Sequence, residues 1–138
     1  MKVYLDVSVA LRRLLCQPEV LTHWGKWDEV YASILLKLEM KRAVDRLRLE
    51  GKLDDKTRAE VGSQIDEICS AVYLIPLQDI ILERAGQSFP SIIGTLDALH
   101  LATALMIREQ KNLKLTFLTH DIQLGLAAQS MSFSVHGI

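Results

Sequence analysis

Cysteine is scarce in this sequence. The two present, Cys16 and Cys69, form no C-x-x-C pair and stand in no Cys/His cluster, which excludes a disulfide framework and a zinc site. Both fall in helical patterns and read as small buried hydrophobes. Long apolar runs are missing too, so no segment reads as a membrane span. The opening MKVYLDVSVALRRLL is broken by Asp6, Arg12 and Arg13 and carries no small-residue cleavage site, so a signal peptide is not expected and a cytoplasmic protein is. Neither sign of charge is in excess. A formal net charge of -1 argues against gripping a polyanion by bulk charge, and any nucleic-acid contact must come from local groups of basic residues. Aromatics are few, and Trp24 and Trp27 have no alternating basic neighbours, which makes them packing residues rather than a stacking platform. Also lacking are G-x-S-x-G, a cysteine with a histidine signature, a P-loop and G-x-G-x-x-G, so nucleophilic and nucleotide-cradling chemistries find no support.

What is there is a chain of 138 residues, 49% hydrophobic and 24% charged, which fits one compact domain over residues 1–138 with a real core and excludes a largely disordered chain. KVYLD (2–6) reads as a strand running straight into a helix, with Ser8 as its N-cap. After an irregular stretch over 18–27, VYAS (30–33) reads as a second strand. Helical periodicity follows over 34–50 with Gly51 as a stop, and Asp54 or Asp55 caps another helix carrying Val61, Ile65, Ile68, Cys69 and Val72. The short connection predicts an antiparallel helical hairpin. VYLIPL (72–77) suggests a buried strand ended by Pro76, then a helix over 79–86. SIIGTLDALHLATALM (91–106) reads as a helix with Thr95 as N-cap and an apolar set of Leu96, Leu99, Leu101 and Leu105. LTFLT (115–119) is a strand, a helix starts near Asp121, and FSV (133–135) closes the series. This alternation predicts an α/β fold with a mostly parallel sheet and helices on both faces.

Four carboxylates stand out. Asp6 closes the first strand and Asp121 follows LTFLT, so both belong at the carboxyl end of a parallel sheet, where ligands collect. Asp121 reads equally well as only the N-cap of a helix through Leu124, Leu126 and Ala127; Asp6, inside an apolar junction, needs a partner to offset desolvation. Glu39 lies on or beside an apolar stripe, and its bland reading is a surface pair with Arg42. Asp97 opens its helix, where the backbone amides favour an acid, and His100 shares its face. In an oxygen-rich site His100 reads as a supporting or packing group rather than a ligand. Gathered in one pocket, the four acids would repel one another unless a cation were bound. Carboxylates with water suit Mg²⁺ or Mn²⁺, which activate water for attack on a phosphodiester.

On YLDVS with Asp6 and Ser8, ASILLKLEMKRAV with Glu39, LDALHLATAL with Asp97 and His100, and LTFLTHDIQLGLAA with Thr119 and Asp121, the chain resembles PIN-domain proteins close to the VapC toxins of VapBC toxin–antitoxin pairs. The resemblance implies a PIN-like three-layer sandwich with a protruding helical hairpin. It also implies a magnesium-dependent ribonuclease, with Mn²⁺ able to substitute. Asp6, Asp97 and Asp121 would hold the cation, and Glu39 would be a ligand or position the water. Ser8 and Thr119 match positions that orient water or ligand. A homodimer is implied, as is a cognate antitoxin that occupies the active-site groove and wraps the hairpin over 34–72. The loop SFPSIIGT has no basic residue, so phosphate contacts would come from among Arg12, Arg13, Lys41, Arg42 and Arg46, with a solvated helix face expected for at least half of them. Two other readings are a degenerate PIN module acting through protein contacts and a housekeeping PIN nuclease that processes precursor RNA.

Overall fold

A computed structural model describes residues 1–138. Strands β1 (Lys2–Leu5), β2 (Glu29–Ser33), β3 (Tyr73–Ile75), β4 (Leu115–Leu118) and β5 (Ser134–His136) form one sheet in the order β3-β2-β1-β4-β5, every neighbouring pair parallel. Parallel neighbours need long crossovers. These are supplied by α1 (Val7–Leu14), the pair α2 (Leu35–Leu49) and α3 (Asp55–Ser70), α4 (Asp79–Ala85) with α5 (Thr95–Lys111), and α6 (Ile122–Ser130). The result is the expected α/β fold.

Strand alternation sorts the core into two layers, because successive side chains leave opposite faces of the sheet. Val3, Leu5, Val30 and Ala32 pack with α1, α2 and α3 through Val9, Leu36, Met40, Val61 and Ile65. Tyr4, Tyr31 and Phe117, on the other face, pack with α4, α5 and α6 through Ile81, Leu101, Leu105, Leu124 and Ala127. Trp24 and Trp27, edge to face at 5.3 Å, pad the first layer as packing residues. The hairpin α2–α3 turns at Gly51, whose φ of +70° suits glycine just past a helix end, and its tip is exposed from Arg48 to Lys52.

Several local expectations are corrected. Asp6, not Ser8, is the N-cap of α1: its carboxylate accepts from the Ser8 N–H, and the Ser8 hydroxyl is engaged elsewhere. The helix of Asp97 starts at Thr95, with Gly94 rather than Thr95 as N-cap, and runs on to Lys111. Leu101 and Leu105 are buried in it and Leu99 half-buried, whereas Leu96 is exposed. β3 is an edge strand rather than a buried one, because only β2 pairs with it, and Tyr73 is exposed. Cys16 is exposed just beyond the end of α1, in a left-handed conformation, and Cys69 is half-buried, so neither is a fully buried hydrophobe.

Candidate active site

The strand order reverses direction between β1 and β4: the chain grows outward to β2 and β3 on one side and to β5 on the other. At such a switch point the loops beyond the two strands part and leave a crevice. Asp6 follows β1 and Thr119 follows β4, with the Asp6 N–H bonded to the Leu118 carbonyl at 3.0 Å. The carboxylate of Asp6 is 3% exposed as a residue and is held at one oxygen. Its Oδ2 accepts from the Ser8 hydroxyl at 2.5 Å, from the Thr119 hydroxyl at 2.8 Å and from the Ser8 N–H at 3.3 Å. Each hydroxyl, its proton committed to Asp6, accepts in turn: Ser8 Oγ from the His120 N–H at 2.9 Å, and Thr119 Oγ1 from the Asp121 N–H at 3.0 Å. Ser8 and Thr119 therefore couple the two strand ends through one carboxylate.

Asp121 is the N-cap of α6, its Oδ1 accepting from the Leu124 N–H at 2.9 Å. The capping explanation of Asp121 is thus correct for one oxygen and leaves the other unused. Glu39 lies in the middle of α2 and does not pair with Arg42, which binds Asp45 at 3.2 Å instead. Its Oε1 bonds His100 Nε2 at 2.6 Å, bringing together residues 61 apart in sequence. His100 is 1% exposed, and its Nδ1 lies 2.8 Å from the hydroxyl of Tyr4, which also accepts the Ser33 N–H at 3.2 Å. Burial opposes charge on this imidazole, but the hydrogen bond and attraction of Glu39, with the fields of Asp6 and Asp97, outweigh it and raise its pKa above the usual histidine value.

Asp97, in the first turn of α5, is different. Its pKa is raised by partial burial first, and then by repulsion from Asp121, Asp6 and Glu39 against the weaker opposing influence of His100. Asp6, Glu39 and Asp121 thus all lie near enough to act on Asp97. No lysine or arginine pairs with any of them, and the sole ion pair in the group is Glu39–His100. Carboxylates that repel one another without a basic partner are the donor chemistry of a hard divalent cation. No three His, Cys, Asp or Glu side chains stand close enough to form a finished metal cage, so the donors fit in kind while their shell is not closed in advance.

The five basic candidates are dispersed. Arg42 and Arg46 line a mainly apolar groove of about 490 Å³ between α1 and α2, which has Glu39 and Leu96 in its walls. Arg13 lines a different recess with Trp24 and Gln64, Lys41 acts on Asp66 of α3, and Arg12 pairs with Glu19 at 3.3 Å. Tyr4 and Ser33 are the members of the site that periodicity does not pick out. The available signal was a tyrosine at a strand position buried on both sides, whose hydroxyl has to find a partner.

Sheet order, switch-point crevice and acidic lining define a doubly wound α/β protein with a carboxylate site beyond its central strands. No protein-family model matches the chain. It is 25% identical over 138 residues to Ribonuclease VapC47 of Mycobacterium tuberculosis (strain CDC 1551 / Oshkosh), covering 95% of this chain and 93% of that protein. Its fold is that of a chain in the crystal structure of VapBC2 from Rickettsia felis bound to a DNA fragment from their promoter, with a TM-score of 0.66, 17% identity, and 99% of this chain and 98% of that one covered. The chain is thus similar in sequence to that ribonuclease over nearly its whole length and shares the fold of that VapBC2 chain.

Proposed function

We propose that this protein is a divalent-cation-dependent endoribonuclease, the toxin of a type II toxin–antitoxin pair, and that it hydrolyses RNA phosphodiester bonds by attack of water. The observation that carries the reading is the proximity of Asp6, Glu39, Asp97 and Asp121 beyond the ends of β1 and β4, three of them fixed at one oxygen, with no lysine or arginine paired to any of them and His100 bonded to Glu39 alone. The relative named a ribonuclease and the fold neighbour named for a VapBC assembly support it.

On this reading Asp6, Asp97 and Asp121 would hold Mg²⁺, or Mn²⁺ in its place, with Glu39 as a further ligand or as the group that faces the attacking water. When bound, the cation supplies Lewis acidity toward the phosphate and a lowered pKa for water. The protein's own contributions are positional. Ser8 and Thr119 fix the orientation of the Asp6 carboxylate by donating to one oxygen, and Glu39 orients the water as a hydrogen-bond acceptor. Arg42 and Arg46, beside Glu39 in the groove, contact the phosphate backbone, while Arg12, Arg13 and Lys41 serve other surfaces. The same apolar groove is the seat we assign to a segment of the antitoxin, and the chain is expected to form a homodimer in the cytoplasm. No helix is long and apolar enough to cross a membrane.

The test is incubation of protein freed of any co-purified partner with total cellular RNA in Mg²⁺ or Mn²⁺, beside EDTA and Asp97→Asn controls, with new RNA ends mapped by sequencing. Discrete cation-dependent ends that vanish in the folded Asp97→Asn variant are expected. Cleavage by that variant at the wild-type rate would sink the assignment.

A further inference from the structure

The four acids differ in how they are held. Asp6 and Asp121 have short side chains tied to neighbouring loop and helix amides, and Asp97 sits on the first turn of α5. Glu39 has the longest and most mobile carboxylate of the set, on a mid-helix position with no local hydrogen-bond donor, and its one fixed contact comes from a different helix. That contact is the end of a chain running through β2, β1, α5 and α2: Ser33 N–H to Tyr4 hydroxyl, Tyr4 hydroxyl to His100 Nδ1, and His100 Nε2 to Glu39 Oε1, at 3.2, 2.8 and 2.6 Å.

In the neutral imidazole the partners set the direction of each bond. The Tyr4 oxygen already accepts from the Ser33 N–H, and its own proton is free to go to His100 Nδ1. His100 then carries its proton on Nε2 and donates it to the Glu39 carboxylate. The opposite tautomer would aim an imidazole lone pair at a carboxylate oxygen 2.6 Å away, which is repulsive. Both ends of the bridge are rigid: Tyr4 is fully buried and stacked on Phe117 at 5.0 Å, and His100 is 1% exposed.

We infer that Tyr4 and His100 are positioning residues that lock the Glu39 carboxylate by one oxygen and leave its other oxygen free for the reaction. Glu39 has a task in catalysis only if the protein is the nuclease proposed above, so the inference rests on that reading. The site is then supported twice from this strand: Asp6, just past the end of β1, acts directly, and Tyr4, two residues earlier, acts through His100.

The experiment uses the full chain, with Mn²⁺ binding followed by electron paramagnetic resonance, RNA cleavage kinetics, thermal melts, and nitrogen-15 NMR of labelled histidine. His100→Leu removes the chain, Tyr4→Phe removes only the hydroxyl, and His100→Gln restores a side-chain N–H near the place of Nε2. For His100→Leu a fall of about 10- to 100-fold in Mn²⁺ affinity and in kcat, with KM for RNA unchanged, is expected from the usual cost of losing a hydrogen bond to a ligand. A smaller fall is expected for Tyr4→Phe, and recovery of affinity in His100→Gln. At a pH high enough for the imidazole to be neutral, NMR of the wild type should find His100 protonated at Nε2 and free of hydrogen at Nδ1. Folded variants with wild-type affinity and kcat overturn the inference, and so does a wild-type Nδ1–H tautomer. A His100→Gln protein that regains stability without regaining affinity overturns it as well. If His100→Leu fails to fold, Tyr4→Phe and the wild-type NMR decide. Wild-type protein that neither binds Mn²⁺ nor cuts RNA overturns the nuclease reading itself, an outcome distinct from all of these.

Discussion

Asp97 is the one acid of the four whose carboxylate is bonded by no group of the protein, and it carries the cost of their proximity. Its folded-state pKa lies above the ordinary aspartate value because burial and three neighbouring carboxylates disfavour the charged form. The sign follows by linkage: the stability associated with the neutral carboxyl is fully present below about pH 4 and is lost as pH rises through the folded pKa. Cation-free Asp97→Asn should therefore melt above the wild type at pH 7, by an amount on the order of 0.5 kcal/mol after solvent screening, and the difference should vanish near pH 3. His100 titrates in the same sense, since its folded pKa is also raised: its stabilisation is complete below about pH 6.5 and fades as pH rises through the folded value. Melts of Glu39→Gln against the wild type should show a larger deficit at pH 5.5 than at pH 8.5. Glu39 also shows where residue-level reading stops, because nothing within a turn of it distinguishes an Arg42 pair from a functional acid. The deciding partner, His100, is 61 residues away.

At the scale of elements, the loop after β4 is shaped by the residue that follows β5. Gly137 has a φ of +112°, and a Cβ there would run into the Thr119 carbonyl oxygen. Thr119 in turn donates to Asp6, and His120 Nδ1 bonds the Gly137 carbonyl at 2.7 Å, so the end of β5 reaches the site through backbone packing and this one hydrogen bond. Gly137→Ala is expected to cost about 1–3 kcal/mol in backbone strain and to weaken Mn²⁺ binding, measured by melts and by metal titration. Gly62 is the control: it lies in α3 with open space where a Cβ would go, so Gly62→Ala should stabilise the protein by about 0.5–1 kcal/mol and leave Mn²⁺ binding untouched. The boundaries of α1 and α5 illustrate a related point. Ser8 and Thr95 are good caps by residue type, yet Asp6 and Gly94 take those places, because the Ser8 hydroxyl is drawn across the crevice to Asp6 and His120 and Thr95 is already helical.

For the whole molecule, the crevice exists because β1 and β4, more than a hundred residues apart, lie side by side with Tyr4 opposite Phe117 and Leu5 opposite Leu118. Helical layers on both faces fix the strands that carry Asp6 and Thr119, while the ends stay open to a ligand. A cation that binds only this folded arrangement stabilises it by mass action, about 2.7 kcal/mol at a concentration one hundred times its Kd. Mn²⁺ should accordingly raise the melting temperature of the wild type. EDTA should reverse the rise, and Asp6→Asn and Asp121→Asn should abolish most of it. An unchanged melting temperature across a broad Mn²⁺ titration would count against a shared cation site.

The sequence by itself determined the alternation of strands and helices, the α2–α3 hairpin, the placing of Asp6 and Asp121 at strand ends, and the short list of acids. Each of these depends on local periodicity or on a residue's distance from a strand end, and so is written in neighbouring residues. The tertiary structure alone decided the order of the strands, and with it which strand ends meet. It also showed that β3 lies at an edge with Tyr73 exposed, that Glu39 bonds His100 rather than Arg42, that Arg42 and Arg46 share a groove while Arg13 and Lys41 turn away, and that Tyr4 stands behind His100. These depend on contacts between segments far apart in the chain, and residue spacing carries no record of which distant side chain supplies a buried hydroxyl or carboxylate with its hydrogen bond.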